Sequence, residues 1–595
     1  MATYTFYKRF FAFLLTLQCT IISFSQESLV QVPMNRQVDF SSQIVEGEVI
    51  GKESFWDEAR RHIYTKQTIK VYKVFKGQQY ETVEIITKGG VVDLEAEVVS
   101  HSLQLRKGDL GVFMLKQKNL GVASKGAISK TFEAVSGVQG FYKYDLSKDK
   151  VINSFITIND IENNFYKDIQ AQTKLKFIEV STLTEKLEVQ SSKLSATNIS
   201  KSSIAPVISS FSSNAASAGT KSVITIYGSG FGSVKGAVGF SDANYGGYLH
   251  YEALDNQIIN WTNTQIEVEV PDRAGTGTVE VTTNAGETIV SSQDLVIDFA
   301  QINLEYSDTA YQTQHVESNG NGGLTWTMNQ DFYNSGARQA FIRAFDNWVC
   351  GSGINWEISP TTTNISTNAD DGVNIITFSN TMSTGTLGQC YSRYQGCYEG
   401  GEIKWYVSEL DIVFNANKNW NYTTNSPAYD ELDFETVTVH ELGHGHQLGH
   451  VIDTNEVMHY TISAGESLRS PSAEDLNGAL DVQLRSTTTP VCNQLVMEES
   501  TCFAQGSLSS NTFNLENNIA VYPNPASNIL NIKAKSHLII NRIEIFNVLG
   551  KKVLDHRQAN NQIFNLDINM LTSGLYIIKI DTEFGAYTQK VMVKK

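Results

Sequence analysis

The sequence has a shortage of positive charge, few cysteines and only one long apolar run. Its 46 Lys and Arg face 63 Asp and Glu, which gives a net charge of -17 at pH 7. Such an acidic chain is a poor partner for nucleic acid or for an anionic membrane. No stretch, including the apolar run near the start, reaches the roughly 20 apolar residues that a membrane-spanning helix needs. We therefore expect neither a nucleic-acid partner nor a membrane-spanning segment.

Residues 1–25 have the organisation of a secretory signal peptide. Lys8 and Arg9 precede the apolar run Phe10–Ile22, and small residues follow it at the spacing of a cleavage site. The run is too short to span a bilayer. We therefore expect a soluble exported protein.

The length of 595 residues predicts about four domains. Residues 26–174 show β-type alternation broken by turn signals, which predicts a small barrel or sandwich. This region contains no cysteine and no cluster of metal-ligand residues, so it carries no predicted chemistry. Residues 175–203 are polar and predict a helix followed by a linker.

The residues with the clearest chemistry lie in His440–His450, which reads HELGHGHQLGH. If Val437–His446 is helical, His440 and His444 project from one face, so their rings can bind one zinc ion. Catalytic zinc takes three protein ligands and a water whose pKa it lowers to about 7. Glu441, next to the first histidine, can take the proton of that water.

A third ligand must come from outside the helix, and His450 is placed for it. With it the stretch resembles the metzincin metallopeptidases, whose pattern is HExxHxxGxxH followed by a methionine-containing turn. Val451–Tyr460 reads VIDTNEVMHY and supplies Met458 and Tyr460. The resemblance implies an endopeptidase in which the methionine packs beneath the zinc site, while the tyrosine binds zinc or stabilises the oxyanion.

The sequence departs from the family pattern at Gln447, which stands where the family has glycine. Glutamine reaches positive φ at a cost on the order of 1 kcal/mol, so Gly445 or Gly449 is expected to take over the turn. His446 is a rival third ligand but points to the opposite side of a helix from His444. In the other zinc peptidase class, Glu474 would be the third ligand.

The catalytic domain is predicted over residues 301–487. A helix is expected at ARQAFIRAFDNWV, with Phe341, Phe345 and Trp348 on one side. Asp433 is expected to cap the zinc helix, and SPSAEDLNGALDVQL to form a capped final helix. Predicted strands are GLTWTMNQDF, GINWEIS, VNIITFSN and ELDIVFN, of which ELDIVFN resembles the metzincin edge strand that pairs with extended substrate.

The same resemblance raises two further expectations. Peptidases of this kind are usually exported in a latent form, so residues 26–174 are either a pro-domain covering the active site or a structural or binding module. Without a cysteine there, a cysteine ligand from that region is ruled out. Asp370 and Asp371 are candidates for calcium, with a solvated turn as the alternative.

Five cysteines remain after signal removal, and export makes disulfides plausible. Their short separations favour Cys390 with Cys397, and Cys492 with Cys502 within the linker 488–518. Cys350 is then left over, as a buried thiol, a zinc ligand of a latent form or a member of a different pair.

Two further stretches resemble known families. Residues 204–300 resemble the immunoglobulin-like IPT/TIG domain, through PVISSFSSNAASAGTKSVITIYGSGFG and WTNTQIEVEVP. Residues 519–595 resemble the C-terminal sorting domain of type IX secretion, through AVYPNPASNILNI, IEIFNVLGKKV and LTSGLYIIKI. That resemblance implies export through the periplasm and across the outer membrane, with the secretion machinery as a partner.

Together these observations predict a multidomain protein whose α+β metzincin-type catalytic domain is flanked by all-β domains of barrel, sandwich and immunoglobulin-like type. The expected function is a secreted or cell-surface, monomeric zinc endopeptidase acting on extracellular proteins and peptides. The competing hypothesis is a surface adhesin or glycan-binding protein with an inactive peptidase-like domain.

Overall fold

A computed structural model describes residues 29, 31–118, 130–182, 205–461, 464–500, 502, 519–534, 540–547, 551–557, 563–582 and 585–595. The chain divides into two compact units, Met1–Cys502 and Phe503–Lys595. The predicted signal peptide and most of the predicted linkers lie outside the described residues. Within the described ranges, no helix has the length and apolar character needed to cross a membrane.

The first domain is a β-barrel, one of the two architectures predicted for it. Five of its strands pair in a closed ring, β1–β2–β3–β7–β6 and back to β1, around a core of valine, isoleucine, leucine and phenylalanine. The strands are β1 (Gln43–Trp56), β2 (Ile63–Lys76), β3 (Thr82–Lys88), β4 (Gly90–Val92), β5 (Glu95–Val99), β6 (Leu110–Gln117), β7 (Thr131–Ala134), β8 (Phe141–Asp145), β9 (Lys150–Ile152), β10 (Thr157–Asn159) and β11 (Ile178–Glu179).

Helices α1 (Met34–Phe40) and α2 (Tyr166–Thr173) cover this barrel, with short helical turns at Gly137–Gly140 and Ile161–Phe165. The helix expected within residues 175–203 is wrong for the described part of that range. The chain leaves α2 at Lys174 in the left-handed conformation and then adds β11 to β2.

The second domain is a β-sandwich with strands arranged β12-β14-β18-β17, β13-β21 and β16-β15-β19-β20. Alternate residues of facing strands, such as Ile224, Ile226, Val279 and Val281, are buried between the sheets because successive side chains of a strand point to opposite faces. The strands are β12 (Val207–Phe211), β13 (Ala215–Ala218), β14 (Val223–Ser229), β15 (Ala237–Asp242), β16 (His250–Glu252), β17 (Ile258–Trp261), β18 (Gln265–Glu269), β19 (Ala274–Thr282), β20 (Thr288–Val290) and β21 (Val296–Ala300), with 3-10 turns at Ala243–Tyr245 and Asp255–Gln257.

The third domain contains a mixed sheet and the longest described helices. Its strands are β22 (Asn303–Tyr306), β23 (Thr309–Gln314), β24 (Leu324–Met328), β25 (Trp356–Ile358), β26 (Asn374–Ser379), β27 (Gly388–Glu399), β28 (Glu402–Asn415), β29 (Trp420–Asn421) and β30 (Leu432–Asp433). Its helices are α3 (Gln330–Tyr333), α4 (Ala337–Ser352), α5 (Phe434–Gly445) and α6 (Ala473–Thr488). The predicted helices and strands are thus present, and Phe341, Phe345 and Trp348 are buried as expected.

The edge strand of this sheet differs from the prediction. ELDIVFN belongs to β28, which has β26 on one side and β27 on the other, so it is not an edge. The outer strand of the third domain is β27, whose cysteine, serine, arginine and glutamine residues hide its β pattern. Strands β5 and β4 of the first domain continue the sheet beyond β27, in the order β25-β24-β26-β28-β27-β5-β4.

The disulfides also differ from the predicted pairs. Cys350 pairs with Cys502 and Cys397 with Cys492, with Cα–Cα distances of 5.0 and 5.6 Å, while Cys390 is a buried free thiol. Proximity in sequence was a poor guide because the segment after α6 runs back along the third domain. Two cross-links therefore fasten that segment to the domain, one at the end of α4 and one at the end of β27.

The second unit, described by itself, has two sheets ordered β31-β32-β35 and β34-β33-β36-β37 around one apolar core. Its strands are β31 (Ile519–Tyr522), β32 (Ile529–Ala534), β33 (Ile540–Asn547), β34 (Lys552–Arg557), β35 (Ile563–Asp567), β36 (Gly574–Thr582) and β37 (Gly585–Val593).

Candidate metal centre

Helix α5 begins at a strong cap. The Asp433 carboxylate accepts a hydrogen bond from Thr436 N at 3.3 Å and is held by Arg469 Nη2 at 2.7 Å. This is the cap expected from the sequence, and it satisfies one of the amides that every helix start leaves unpaired. All twelve residues of α5 are buried, so packing fixes the direction in which His440 and His444 project.

Three histidines present one ring nitrogen each to a common point. Nδ1 of His440 lies 2.7 Å from Val457 O, Nδ1 of His444 lies 2.9 Å from Leu448 O, and Nδ1 of His450 lies 2.7 Å from Asn244 Oδ1. Because these oxygens can only accept, each Nδ1 carries the proton and each Nε2 keeps a free lone pair. The three Nε2 atoms are buried without a hydrogen-bond partner.

The orphaned nitrogens fit a metal ion. One ring nitrogen from each of these three histidines, and one from His101, lie within 4.8 Å of one another. Buried polar atoms without partners are costly, and neutral imidazole is a preferred zinc ligand. The structure thus brings His440, His444 and His450 together as the sequence predicted.

Gln447 itself makes the turn that separates His444 from His450. Its φ is +70°, whereas neither Gly445 nor Gly449 has a positive φ, so the expected transfer of the turn to a glycine is wrong. The Gln447 side chain is buried and fully bonded: Oε1 accepts from Thr313 Oγ1 at 2.9 Å and Tyr394 OH at 2.8 Å, and Nε2 donates to Gly445 O at 3.0 Å. These bonds offset the backbone strain of a left-handed glutamine.

The methionine-containing turn packs against helix α5. A Cβ placed on Gly443 would lie 2.2 Å from Met458 Sδ, so the methionine packs directly on the backbone between the two helix histidines. Asp475, at the start of α6, accepts hydrogen bonds from Val457 N at 3.0 Å and Met458 N at 3.3 Å. The carbonyl of Val457 in turn holds His440, so the α6 cap orients a metal-binding ring through the turn.

Tyr460 lies beside the site, against the second domain. Its ring and hydroxyl contact the backbone of Gly246, where no side chain would fit. Together with His444, His450, Asn244 and His101, Tyr460 lines a cavity of about 500 Å³ between the three domains of the first unit.

The electrostatics of the site favour metal binding. Burial, followed by the neighbouring imidazoles, holds the pKa of His440 and of His450 well below the usual range. Burial lowers the pKa of His444 to about 4. Burial alone would raise the pKa of Glu441, but the adjacent imidazoles, His101 first, outweigh it and lower that pKa to about 2. The lowered pKa values favour neutral rings at His440, His444 and His450, which is the form of imidazole that binds a metal.

His101 was missed by the sequence reasoning, which assigned no metal ligand to residues 26–174. It follows β5 in the first domain, its side chain is fully buried, and its ring lies 5.1 Å from the His450 ring and 5.5 Å from the His440 ring. No spacing motif surrounds His101, so only the tertiary structure reveals it.

Other candidates lie outside the cluster. His446 Nε2 lies 2.8 Å from Ser352 Oγ in the core, as expected for a residue on the far side of the helix. Glu474 is not among the clustered ligands. Within the described ranges, the histidine group is the only set of three or more His, Cys, Asp or Glu side chains close enough to share a metal ion, so calcium at Asp370 and Asp371 is not supported.

Comparison with known families matches this geometry. Residues 320–482 match the family model for matrixin. They form a matrixin domain. Residues 206–297 match the IPT/TIG domain, and residues 520–594 match the secretion system C-terminal sorting domain. Both resemblances outside the matrixin domain are thereby confirmed.

Two further comparisons add no functional argument. None of the curated proteins compared matches the chain. Among solved structures, the chain is similar to "Biofilm associated protein - BSP domain" at 10% identity and a TM-score of 0.16, over 93% of this chain and 81% of that chain. A TM-score of this size does not establish a shared fold.

The matrixin domain implies zinc, and the structure contains a histidine cluster that could hold a metal ion. The sorting domain indicates export by type IX secretion to the cell surface or the medium and an interaction with that machinery. Together the two domains indicate a secreted metallopeptidase.

Proposed function

We propose that the chain is a zinc endopeptidase that cleaves extracellular proteins and peptides, with His440, His444 and His450 as ligands and Glu441 as general base. One observation supports this above all: three buried Nε2 atoms without partners converge beside a carboxylate on the same helix. A degenerate domain in an adhesin has no reason to keep the ligands, their oriented tautomers and the carboxylate together.

The roles of the residues follow from their positions. Zinc, when bound, would supply Lewis-acid activation of a water molecule and of the scissile carbonyl. The Glu441 carboxylate would accept the proton of the attacking water and pass it to the leaving amine. Tyr460 lines the same cavity and would donate its phenolic hydrogen to the developing oxyanion.

Substrate binding is assigned to β27. An edge strand recognises an extended peptide through backbone hydrogen bonds, which explains how an endopeptidase can accept many sequences. One chain supplies the three proposed ligands and the carboxylate, so the proposed reaction needs no second copy, and we propose a monomer as the active form.

The test is the Glu441→Gln substitution, made in a protein that also carries His101→Ala because His101 fills the space beside Glu441. We expect zinc content to stay at the level of the parent, while cleavage of a peptide library falls by about 10²- to 10⁴-fold, as for loss of a general base. Glu474→Gln, a matched change outside the cluster, should leave cleavage unaltered. Activity near the parent level in Glu441→Gln would contradict the mechanism.

A further inference from the structure

Strand β5 of the first domain lies along β27, where we propose that substrate binds. Strand β5 pairs antiparallel with β27 over five residues, with Val99 opposite Tyr391 and Glu95 opposite Gln395. The pairing continues beyond the strand, since Ser100 N donates to Cys390 O and Cys390 N donates to Ser100 Oγ, both at 2.9 Å. The central part of this edge, residues 390–396, is thus occupied by a segment of the same chain.

Side chains anchor β5 on both sides. Val99 packs against Tyr391, Val413 and Met382 of the third domain. Glu97 lies 3.6 Å from the Arg393 guanidinium, which also binds two buried carboxylates of β28. Burial of an ion pair and an aliphatic side chain at the same edge fixes the register of the strand.

The residues after β5 enter the metal centre. Ser100 Oγ donates to Glu441 Oε2 at 2.9 Å, and His101 Nε2 lies 3.3 Å from Glu441 Oε1. Ser100 thus occupies one oxygen of the proposed general base, and the His101 ring lies close to the other, which has no hydrogen-bond partner. His101 has a φ of +57°, a conformation that few residues other than glycine adopt, and its ring lies against those of the other three histidines.

We propose that residues 31–182 hold the full-length chain in a latent state, with His101 as a fourth zinc ligand in place of water and β5 in place of substrate. This inference rests on the proposed function, since it describes the regulation of the same site. A zinc ion with four protein ligands is the closed arrangement of structural sites, whereas catalysis needs an open position. Activation then requires β5 and His101 to leave β27 and the metal centre together.

The composition of the first domain is consistent with a histidine as the fourth zinc ligand. This region contains no cysteine, so a thiolate ligand cannot come from it. An imidazole is a weaker charge donor than a thiolate, but β5 adds a strand of backbone hydrogen bonds that hold the ring in place. The ligand and the strand act together, and either alone would compete less well with water and substrate.

The experiment compares the full-length chain with its His101→Ala and His101→Asn variants, each loaded with Co²⁺ for spectroscopy and with Zn²⁺ for peptide cleavage. Azide is the probe of an open metal position. We expect azide to leave the visible spectrum of the wild-type cobalt protein unchanged and to shift that of both variants. Cleavage of a fluorogenic peptide library should be at least about tenfold faster in both variants, because the metal position is then open and β5, no longer tied to it through His101, competes less well with substrate.

Ser102→Ala is the matched control. Ser102 neighbours His101 and donates its hydroxyl only to Lys88 O, away from the cluster, so this variant should behave as wild type in both assays. The asparagine variant keeps a polar side chain, which guards against a folding defect in the alanine variant.

The possible outcomes separate the two proposals. An azide response in the wild-type protein equal to that of the variants, with equal cleavage, would overturn the assignment of His101. An azide response confined to the variants supports the fourth ligand whatever the cleavage result. Absence of cleavage by every variant, also after limited proteolysis has removed the first domain and with it β5, would overturn the peptidase proposal instead.

Discussion

At the scale of single residues, the geometry of the site depends on hydrogen bonds made by the side-chain atoms that do not face the metal position. The ligand histidines each fix one ring nitrogen on an oxygen and leave the other for metal. Gln447 uses all its amide atoms to hold an unfavourable backbone conformation. In both cases, hydrogen bonds to residues around the site fix the orientation of the groups that form it.

Two substitutions of Gln447 separate the energetic contribution of its backbone strain from that of its side-chain hydrogen bonds. Gln447→Ala loses the bonds to Thr313 and Tyr394 but keeps the strained φ, so we expect a loss of about 3 kcal/mol in the free energy of unfolding. Gln447→Gly loses the same bonds but relieves the strain, and should be about 1 kcal/mol more stable than the alanine variant. Urea unfolding followed by tryptophan fluorescence gives the ranking; an alanine variant as stable as the glycine variant would contradict the strain.

The third ligand is tested with His450→Ala and His446→Ala, both in a chain carrying His101→Ala so that His101 cannot substitute. We expect the His450 variant to lose zinc, because two histidines are too few for catalytic zinc. The His446 variant should keep zinc but unfold more easily, since its ring fills the core beside Trp348 and Trp356. Zinc stoichiometry at equal protein concentration decides; loss of zinc confined to the His446 variant would reverse the assignment.

At the scale of secondary structure, one short turn of the second domain joins the metal centre. The 3-10 turn Ala243–Tyr245 places Asn244 Oδ1 on the Nδ1 atom of His450, and the following Gly246 leaves room for Tyr460. The IPT/TIG domain therefore does more than space the catalytic domain from its neighbours, because it holds one ring of the histidine cluster.

This support predicts a loss of zinc affinity in Asn244→Ala. Removing the oxygen frees the His450 ring to rotate and to change tautomer, and such outer-shell losses typically weaken metal binding by about 10- to 100-fold. Asn244→Asp keeps an acceptor and should bind zinc close to the wild-type level. Asn256→Ala is the matched control, because Asn256 also bridges the two domains, to Thr309, but far from the metal. Chelator competition measures the affinities; equal values for all variants would exclude a positioning role.

Elements with a strong local signal could be predicted from the sequence. The zinc helix, its Asp433 cap, the capped helix α6 and the amphipathic helix α4 each depend on residues within a few positions of one another. Strand β27 was missed because it is paired on both sides, so its polar residues do not alternate with apolar ones. The turn at Gln447 was misplaced because the bonds that stabilise it come from Thr313 and Tyr394, distant in sequence.

At the scale of the whole molecule, the metal centre joins three domains that the sequence presented as separate modules. Ser100 and Glu441 are 341 residues apart in sequence. No periodicity or spacing rule connects residues so distant, which is why the pro-domain was one of two open interpretations and His101 had no predicted role. The disulfide partners were misassigned for the same reason.

The sorting domain should be separable from the rest, since it is a compact unit of its own. Deleting residues 519–595 should leave a folded, zinc-containing protein that stays in the periplasm, because the signal for outer-membrane passage is gone. Immunoblots of the periplasm and the medium measure this. The full-length Glu441→Gln variant is the control and should be released normally; release of the truncated protein into the medium would show that residues 519–595 are not the signal.

The position of β5 in the chain has a consequence for the timing of biosynthesis. A ribosome adds about 5 to 20 residues per second, so the segment that fills the cleft is made on the order of 20 to 70 s before the zinc helix. The first domain can close its barrel before the last metal ligand exists. On the proposal above, β5 and His101 are available to fill the cleft as soon as the catalytic domain folds. The producing cell is thereby protected from an open active site.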